Sequence, residues 1–219
     1  SGPFSSNQFV LVMYNILRDV LEVPPSQLNT YDKAVILLDL RAKNINHILA
    51  MKLDAESKEV KPIDYNLNLT KFINKQKKER TFSPEIVENA QYIVTLNYPT
   101  IEEEYQFENH LFKTKLSTIK EDDHKAMRDL SGPFYLYTIA QYVKAVDIGE
   151  TKIDLTAKNI NERLAIVESL SAGVIHKIID NIDSVFGKNL STLTTVEKTE
   201  DDVKYTGHIE MDASLFIVN

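Results

Sequence analysis

Three stretches of the chain carry residue types that could do chemistry. Glu102-Glu103-Glu104 offers the carboxylates that glycoside hydrolysis uses as acid and as nucleophile or base. Asp122-Asp123-His124 offers oxygen and nitrogen donors of the kind that hold a divalent metal. KQKKER at 75–80 offers the dense positive charge that neutralises phosphates. Each stretch also has a plainer account. Carboxylate-pair chemistry needs two groups facing one cleft, which neighbours in a single helical turn do not provide, whereas acids at the start of a helix complement its dipole. The Asp-Asp-His run sits in a polar break between apolar-periodic segments, where a solvated turn suffices. The basic run lacks interleaved aromatics and belongs to a chain of formal net charge −7. It reads as a solvated loop, or as a docking strip for an acidic protein partner, rather than as a nucleic-acid patch.

The remaining search for chemistry is short. His47, His110, His124, His176 and His208 contain no i, i+4 pair and no HExxH, and His176 lies beside an apolar helical stripe as a structural histidine would. Six glycines form neither GxGxxG nor a P-loop, and no serine stands in GxSxG. The absence of cysteine excludes disulfides, thiol catalysis and cysteine-ligated zinc, and fits folding in a reducing cytoplasm. No catalytic residue, metal or cofactor is therefore expected. The opening SGPFSSNQFVLVMYNILRDV has no basic leader, and Arg18 and Asp19 interrupt its apolar run, so neither a signal peptide nor a membrane span is expected. With 219 residues, 43% hydrophobic and 26% charged, the chain can bury a substantial core.

The elements that must position any site follow from periodicity. Val10, Met13, Tyr14, Leu17 and Val20/Leu21 predict an amphipathic helix over 5–22, capped by Ser5 or Ser6 and ended by Pro24-Pro25. YDKAVILLDLRAKN predicts a second, largely buried helix. Residues 47–73 change period and predict a β-ribbon around the polar turn DAESKE, with Leu67, Leu69 and Ile73 alternating, followed by the charged connection INKQKKERTFS. QYIVTLNYPT predicts a strand near 91–98. Helical spacing returns from 101 (Tyr105, Phe112, Leu116, Ile119), again over SGPFYLYTIAQYVKAV, and in two further helices, 160–170 and 171–186, the last stopped by Gly187. STLTTVEK, a TEDD turn and VKYTGHIEM predict a closing hairpin, with DASLFIVN a short terminal piece capped by Asp212. The fold class is α+β, a helical core in a single domain 1–219. Residues 47–80 form a β-ribbon insertion with a basic exit, and 190–219 the C-terminal hairpin and terminal segment.

DLRAKNIN at 39–46 and DLTAKNIN at 154–161 agree at seven of eight letters and suggest a duplication. The first copy closes a helix and hands over to a strand; the second follows the loop DIGETKI and enters a helix. A second echo, SGPF at 1–4 and 131–134, has a different offset. A single tandem event produces neither mismatch, so the repeat is accidental.

The order of parts resembles a known family. A Pro3-Phe4 helix start is followed by Tyr31-Asp32 through Lys43, reading "YD…LLxLRAK". A ribbon ending in "NLTKF" comes next, then "YIVTLNYPT", then "VESLSAGVIHKIIDNID" before a two-stranded segment and "ASLFIVN". In this order and spacing the chain resembles the baseplate hub and tail-assembly proteins of T-even-type contractile-tailed phages. Relatives usually carry an N-terminal β segment and an arginine before the PF, where this sequence has Gly2, which suggests trimming at Ser1-Gly2. Many also carry paired cysteines in the ribbon, where KLDAESKEVKPIDYNL has none, so no zinc is expected. The resemblance implies a non-enzymatic tail protein, structural subunit or assembly chaperone. It would work by contacts with other tail or hub proteins, the tape measure or spike among them. Its setting would be the host cytoplasm during assembly or the virion baseplate, without membrane or nucleic acid. The partner-binding residues expected are Lys75, Lys77, Lys78 and Arg80 at the ribbon's basic exit, and Phe216 beyond the hairpin. The alternatives are a tail-associated cell-wall hydrolase, which needs a carboxylate pair brought together by the fold, and a nucleic-acid-binding module built on 75–80.

Overall fold

A computed structural model describes residues 3–76, 82–119 and 123–217. Among them the chain folds as α+β, and its contacts divide it into two compact units, each assembled from two separate stretches.

The first unit comprises Ser1–Thr30 and Thr81–Phe186. Helix α1 (Pro3–Val20) buries Met13, Tyr14 and Leu17 and packs on α4 (Ile101–Thr114). Tyr14 stacks on Tyr105 with ring centroids 3.9 Å apart, and the Asn7 amide donates to the Glu108 carbonyl at 2.9 Å and to its carboxylate at 2.6 Å. Helix α4 begins where the sequence turns polar for a reason visible at its first turn. The Thr100 hydroxyl accepts from the Glu103 N–H at 3.0 Å, and the Glu103 carboxylate accepts from the Thr100 N–H at 2.9 Å. This reciprocal cap satisfies two otherwise orphaned donors. Glu102, Glu103 and Glu104 all lie in that first turn, as the dipole reading expects.

Four antiparallel strands complete the unit's framework: β3 (Glu85–Glu88), β4 (Tyr92–Leu96), β5 (Val143–Ile148) and β6 (Thr151–Asp154), in that spatial order. β4 lies within the strand expected near 91–98. Val87, Val94, Val146 and Ile153 pair successively across the four strands, forming one apolar row on a single face. Here the sequence reading is corrected in two places. The helix expected to run to Val146 ends earlier, as α6 (Ser131–Tyr142), and the expected loop DIGETKI is the turn and return strand of a hairpin. Ile139, Ala140, Val143 and Val146 fit a helical stripe, but Val143 to Ile148 also suit a strand, and pairing with β4 decides between them. Gly149 at φ 61 makes the tight β5–β6 turn, a backbone conformation that costs glycine nothing.

After a short helix α5 (His124–Asp129) and α6, the unit closes with α7 (Ile160–Glu168), α8 (Ala172–Asn181) and, up to Phe186, the π-helical turn Ile182–Gly187. Of the apolar stripe expected over 171–186, Ile178, Ile182 and Phe186 are buried and Ile175, Ile179 and Val185 half-buried, while Val174, outside that stripe, is buried as well. Gly187, expected as a stop, instead keeps a right-handed helical backbone (φ −63), and the chain winds on into α9 (Lys188–Thr194).

The second unit comprises Tyr31–Arg80 and Gly187–Asn219. Helix α2 (Thr30–Asn44) buries Ala34, Leu37, Leu38 and, against expectation for a charge, Arg41, whose guanidinium donates to the Asn46 carbonyl at 2.7 Å. The ribbon is present as β1 (Ile48–Ala55) and β2 (Ile63–Asn68), paired from Ile48↔Asn68 to Leu53↔Ile63. It stops short of the expected end at 73. Leu69 and Ile73, taken as alternating strand positions, are the buried i, i+4 pair of a helix, α3 (Leu69–Gln76). The C-terminal hairpin is β7 (Thr195–Glu200) and β8 (Val203–His208), joined by Asp201 and Asp202 at φ 49 and 61. Two positive-φ residues make the turn type that matches strand twist. Ribbon and hairpin share one sheet, ordered β2-β1-β8-β7, through Asp54↔Thr206 and Ala55↔Tyr205. A 3-10 turn, Ala213–Phe216, follows, capped as expected by the Asp212 carboxylate, which accepts from the Ser214 N–H at 2.8 Å.

The two AKNIN copies serve opposite purposes. The first ends α2 at Asn44, whereas in the second Asn159 is the N-cap of α7, its side chain accepting from the Glu162 N–H at 3.0 Å. Identical letters adopt unlike structures, as an accidental repeat would.

Candidate functional site

The most developed polar site lies in the first unit, along one face of α4. Glu103, Gln106, Asn109, His110 and Lys113 recur at three- and four-residue intervals and point the same way. Facing them are Thr156, Lys158, Asn159, Asn161 and Arg163, from the β6–α7 connection and the first turns of α7. Between the two rows is a cleft of about 540 Å³.

At its floor sits an ion cluster. The Glu103 carboxylate accepts from the Arg163 guanidinium at 3.0 Å through one oxygen and from the Lys144 ammonium at 2.5 Å through the other. The second oxygen also holds the Thr100 N–H of the helix cap. Arg163 is 4% exposed; its other amino group donates to the Ala140 and Val143 carbonyls at the end of α6, and its guanidinium lies 4.8 Å from the Phe107 ring centre. Lys144 donates to the Gln141 carbonyl at 3.0 Å. The cluster thus ties α4, the α6–β5 junction and α7 together.

Burial by itself would raise the Glu103 carboxyl. The charge and hydrogen bond of Lys144, the Thr100 N–H and the Arg163 charge outweigh it and hold the group below the ordinary carboxylate range. Burial pulls the Lys144 ammonium down, and contact with Glu103 counters this without cancelling it. Because the Glu103 pKa is depressed by folding, its stabilising contribution is complete above the unfolded value, about 4.3, and is lost as pH falls through the folded value. The urea midpoints of wild type and Glu103→Gln are expected to converge as pH drops below about 4. A constant gap across that range would show that the charge plays no part.

Chemically this arrangement binds and braces. Both Glu103 oxygens are engaged by cations or N–H donors, so the group is not free to take a proton from a substrate. The carboxylate pair that hydrolysis would need is not assembled here among the described residues, of which Glu103 is the one carboxylate lining this cleft. Of the other sequence candidates, Asp123 is the N-cap of α5, accepting from the Lys125 and Ala126 N–H groups, while Asp122 lies outside the described residues. His176 is exposed on α8 rather than set in a core, and no metal-holding group of histidines and acids exists among the described residues. Lys75 is exposed in the last turn of α3, Phe216 is half-buried in the terminal 3-10 turn, and Lys77, Lys78 and Arg80 lie outside the described residues.

Sequence reasoning missed the cluster because Glu103 was absorbed by the helix-dipole account, and Lys144 and Arg163 had no local signal. One local signal did exist. Thr100-x-x-Glu103 and Asn159-x-x-Glu162 are both capping boxes, and they mark the starts of the two helices that wall the cleft.

The family model described as T4 bacteriophage base plate protein matches residues 5–210. No curated protein and no solved structure matches the chain.

Proposed function

The chain belongs to the T4 bacteriophage base plate protein family, and on that premise we propose that it is a non-enzymatic tail protein that helps build the baseplate hub through protein–protein contacts. The match across residues 5–210 is the observation that carries this reading. A surface feature supports it. Val12, Ile16 and Val20 follow one another at four-residue intervals along α1, with Val23 just beyond, and are 56%, 43%, 57% and 42% exposed. An apolar ridge turned to solvent suits a protein partner better than water. The partners are other tail or hub proteins, met in the host cytoplasm during assembly, and the chain acts there as a structural subunit or as a chaperone of assembly.

Quantitative mass spectrometry of purified virions separates those two roles. A fixed copy number relative to other tail proteins makes the chain a subunit; absence from virions, with recovery bound to tail proteins from infected cells, makes it a chaperone. Recovery in neither sinks the proposal. At the ridge, Val12→Asp with Ile16→Asp is expected to change unfolding free energy by no more than about 0.5 kcal/mol per site, yet to lower the yield of assembled tails in a complementation assay. Full assembly with the doubly charged ridge would remove α1 from the contact surface.

A further inference from the structure

The cleft described above does not end at His110. A second cavity of about 610 Å³ adjoins it, sharing His110 and Asn161 and lined otherwise by residues that include Pro133, Leu136, Tyr137 and Leu164. At the junction the His110 ring nitrogen and the Tyr137 hydroxyl are hydrogen-bonded at 2.7 Å, and the Thr114 hydroxyl lies 3.2 Å from the same phenol. Sharing these two residues, the cavities lie side by side along α4, beside α6 and α7, and their linings differ.

Charge decides what the polar end takes. Arg163 is committed to Glu103, but Lys113 has no ion-pair partner among the described residues, and Lys158 has only Glu162 at 3.8 Å. Among the described residues the first cavity is lined by three cations and one carboxylate, in a chain of net charge −7. In the second, Lys115 and Glu168 offset each other, and the lining area turns apolar around Pro133, Leu136 and Leu164. Local positive charge beside an apolar pocket, with the Asn109 and Asn161 amides lining the cleft toward backbone groups, matches a short acidic and apolar peptide.

We propose that these adjoining cavities are the docking site for a linear segment of a partner protein. The segment places acidic side chains against Lys113 and Lys158 and an adjacent apolar side chain among Pro133, Leu136 and Leu164. This rests on the reading that the chain works through protein contacts, and names the chemistry of one such partner. A nucleic acid would meet the same two lysines but gain nothing from the apolar end, and would face the chain's overall negative field.

The test uses the full chain and fluorescein-labelled short peptides carrying Asp-Glu beside Leu-Phe, with a charge-reversed Lys-Lys version as control, titrated by fluorescence anisotropy. The acidic–apolar peptide is expected to bind saturably and more weakly as salt rises, and the control not to bind. Lys113→Gln with Lys158→Gln should weaken binding by about tenfold, with little change in the melting curve because both side chains lie at the surface and no charge is placed against the end of α4. Absence of saturable binding, an affinity indifferent to the double substitution, or preferential binding of single-stranded DNA or inorganic phosphate at the same lysines would overturn the inference. Capture of tail proteins from infected-cell lysate is run in parallel with wild type and double variant. Equal capture by both overturns the docking site while leaving the assembly role standing; no capture by wild type counts against the assembly role, and the titration then judges the docking site alone.

Discussion

Glu103→Ala is expected to destabilise the first unit by about 3–5 kcal/mol, the cost of removing one partner from a buried ion cluster. The side chains involved are 18%, 15% and 5% exposed for Glu103, Lys144 and Arg163, so water cannot replace the lost carboxylate at the inner cation. Arg163 would keep its two carbonyl acceptors but lose its counter-charge, and its Nε already lacks a hydrogen-bond partner. The capping box at Thr100 would open in the same step, adding a smaller loss. Against a typical total of about 5–15 kcal/mol, this is a large share. Urea unfolding followed by circular dichroism measures it, and a loss below about 1 kcal/mol would mean the cluster is ornamental. A companion variant tests the cause. Replacing all three groups by apolar residues of similar size should recover much of the loss, because what destabilises the single variant is the stranded charge rather than the missing attraction. Capping would stay broken, so recovery is expected to be incomplete.

Little of that cluster was legible in the sequence, and the reason is separation along the chain. Glu103 lies 41 positions from Lys144 and 60 from Arg163, and no periodicity links residues on different elements at such distances. What the sequence did show was the run of three glutamates, and its first-turn placement is correct for all three. Which of them turns inward depends on the angle at which α4 meets α7, a tertiary property. Arg41 and Arg163 make the same point, because a buried arginine reads from sequence as a surface residue until its acceptors are assembled around it.

The fold was more legible where one period dominates a long segment. α1, α2, the ribbon and the C-terminal hairpin stand where their spacing put them, with boundaries moved by a few residues. The errors fall where an apolar pattern is compatible with two periods. Val143 and Val146 continue the stripe of α6 and also face the core from β5, and only the neighbouring strand β4 distinguishes the cases. Leu67, Leu69 and Ile73 failed similarly, since two of three apparent alternations belong to the first turns of α3. Gly187 failed for a different reason. Glycine permits a helix to stop but does not compel it, and Lys188 to Thr194 supply residues enough to continue.

Another glycine was passed over although its position carried a signal. Gly207 stands inside β8, where a glycine weakens a strand unless something approaches closely. Something does. A Cβ at Gly207 would lie 2.6 Å from Leu53 Cδ2, 2.8 Å from the Lys52 carbonyl oxygen and 2.9 Å from Met51 Cε. The two side-chain ends could turn away, but the Lys52 oxygen belongs to the backbone of β1, which is paired along its other edge with β2 from Ile48 to Leu53. Relief therefore requires β8 to move off β1 beside the pairs Asp54↔Thr206 and Ala55↔Tyr205, which join ribbon and hairpin into one sheet. Gly207→Ala is accordingly expected to cost about 1–3 kcal/mol, and Gly207→Val more, despite the higher strand preference of valine. Since the strain falls on the β1–β8 seam, amide exchange should accelerate first at Glu56, whose N–H donates to the Lys204 carbonyl at 3.1 Å. Exchange within the β1–β2 ribbon should change less, because its own register is untouched. Stabilisation by either substitution, as strand propensity alone would favour, would show that the close approach of β8 to β1 is not what holds this position to glycine.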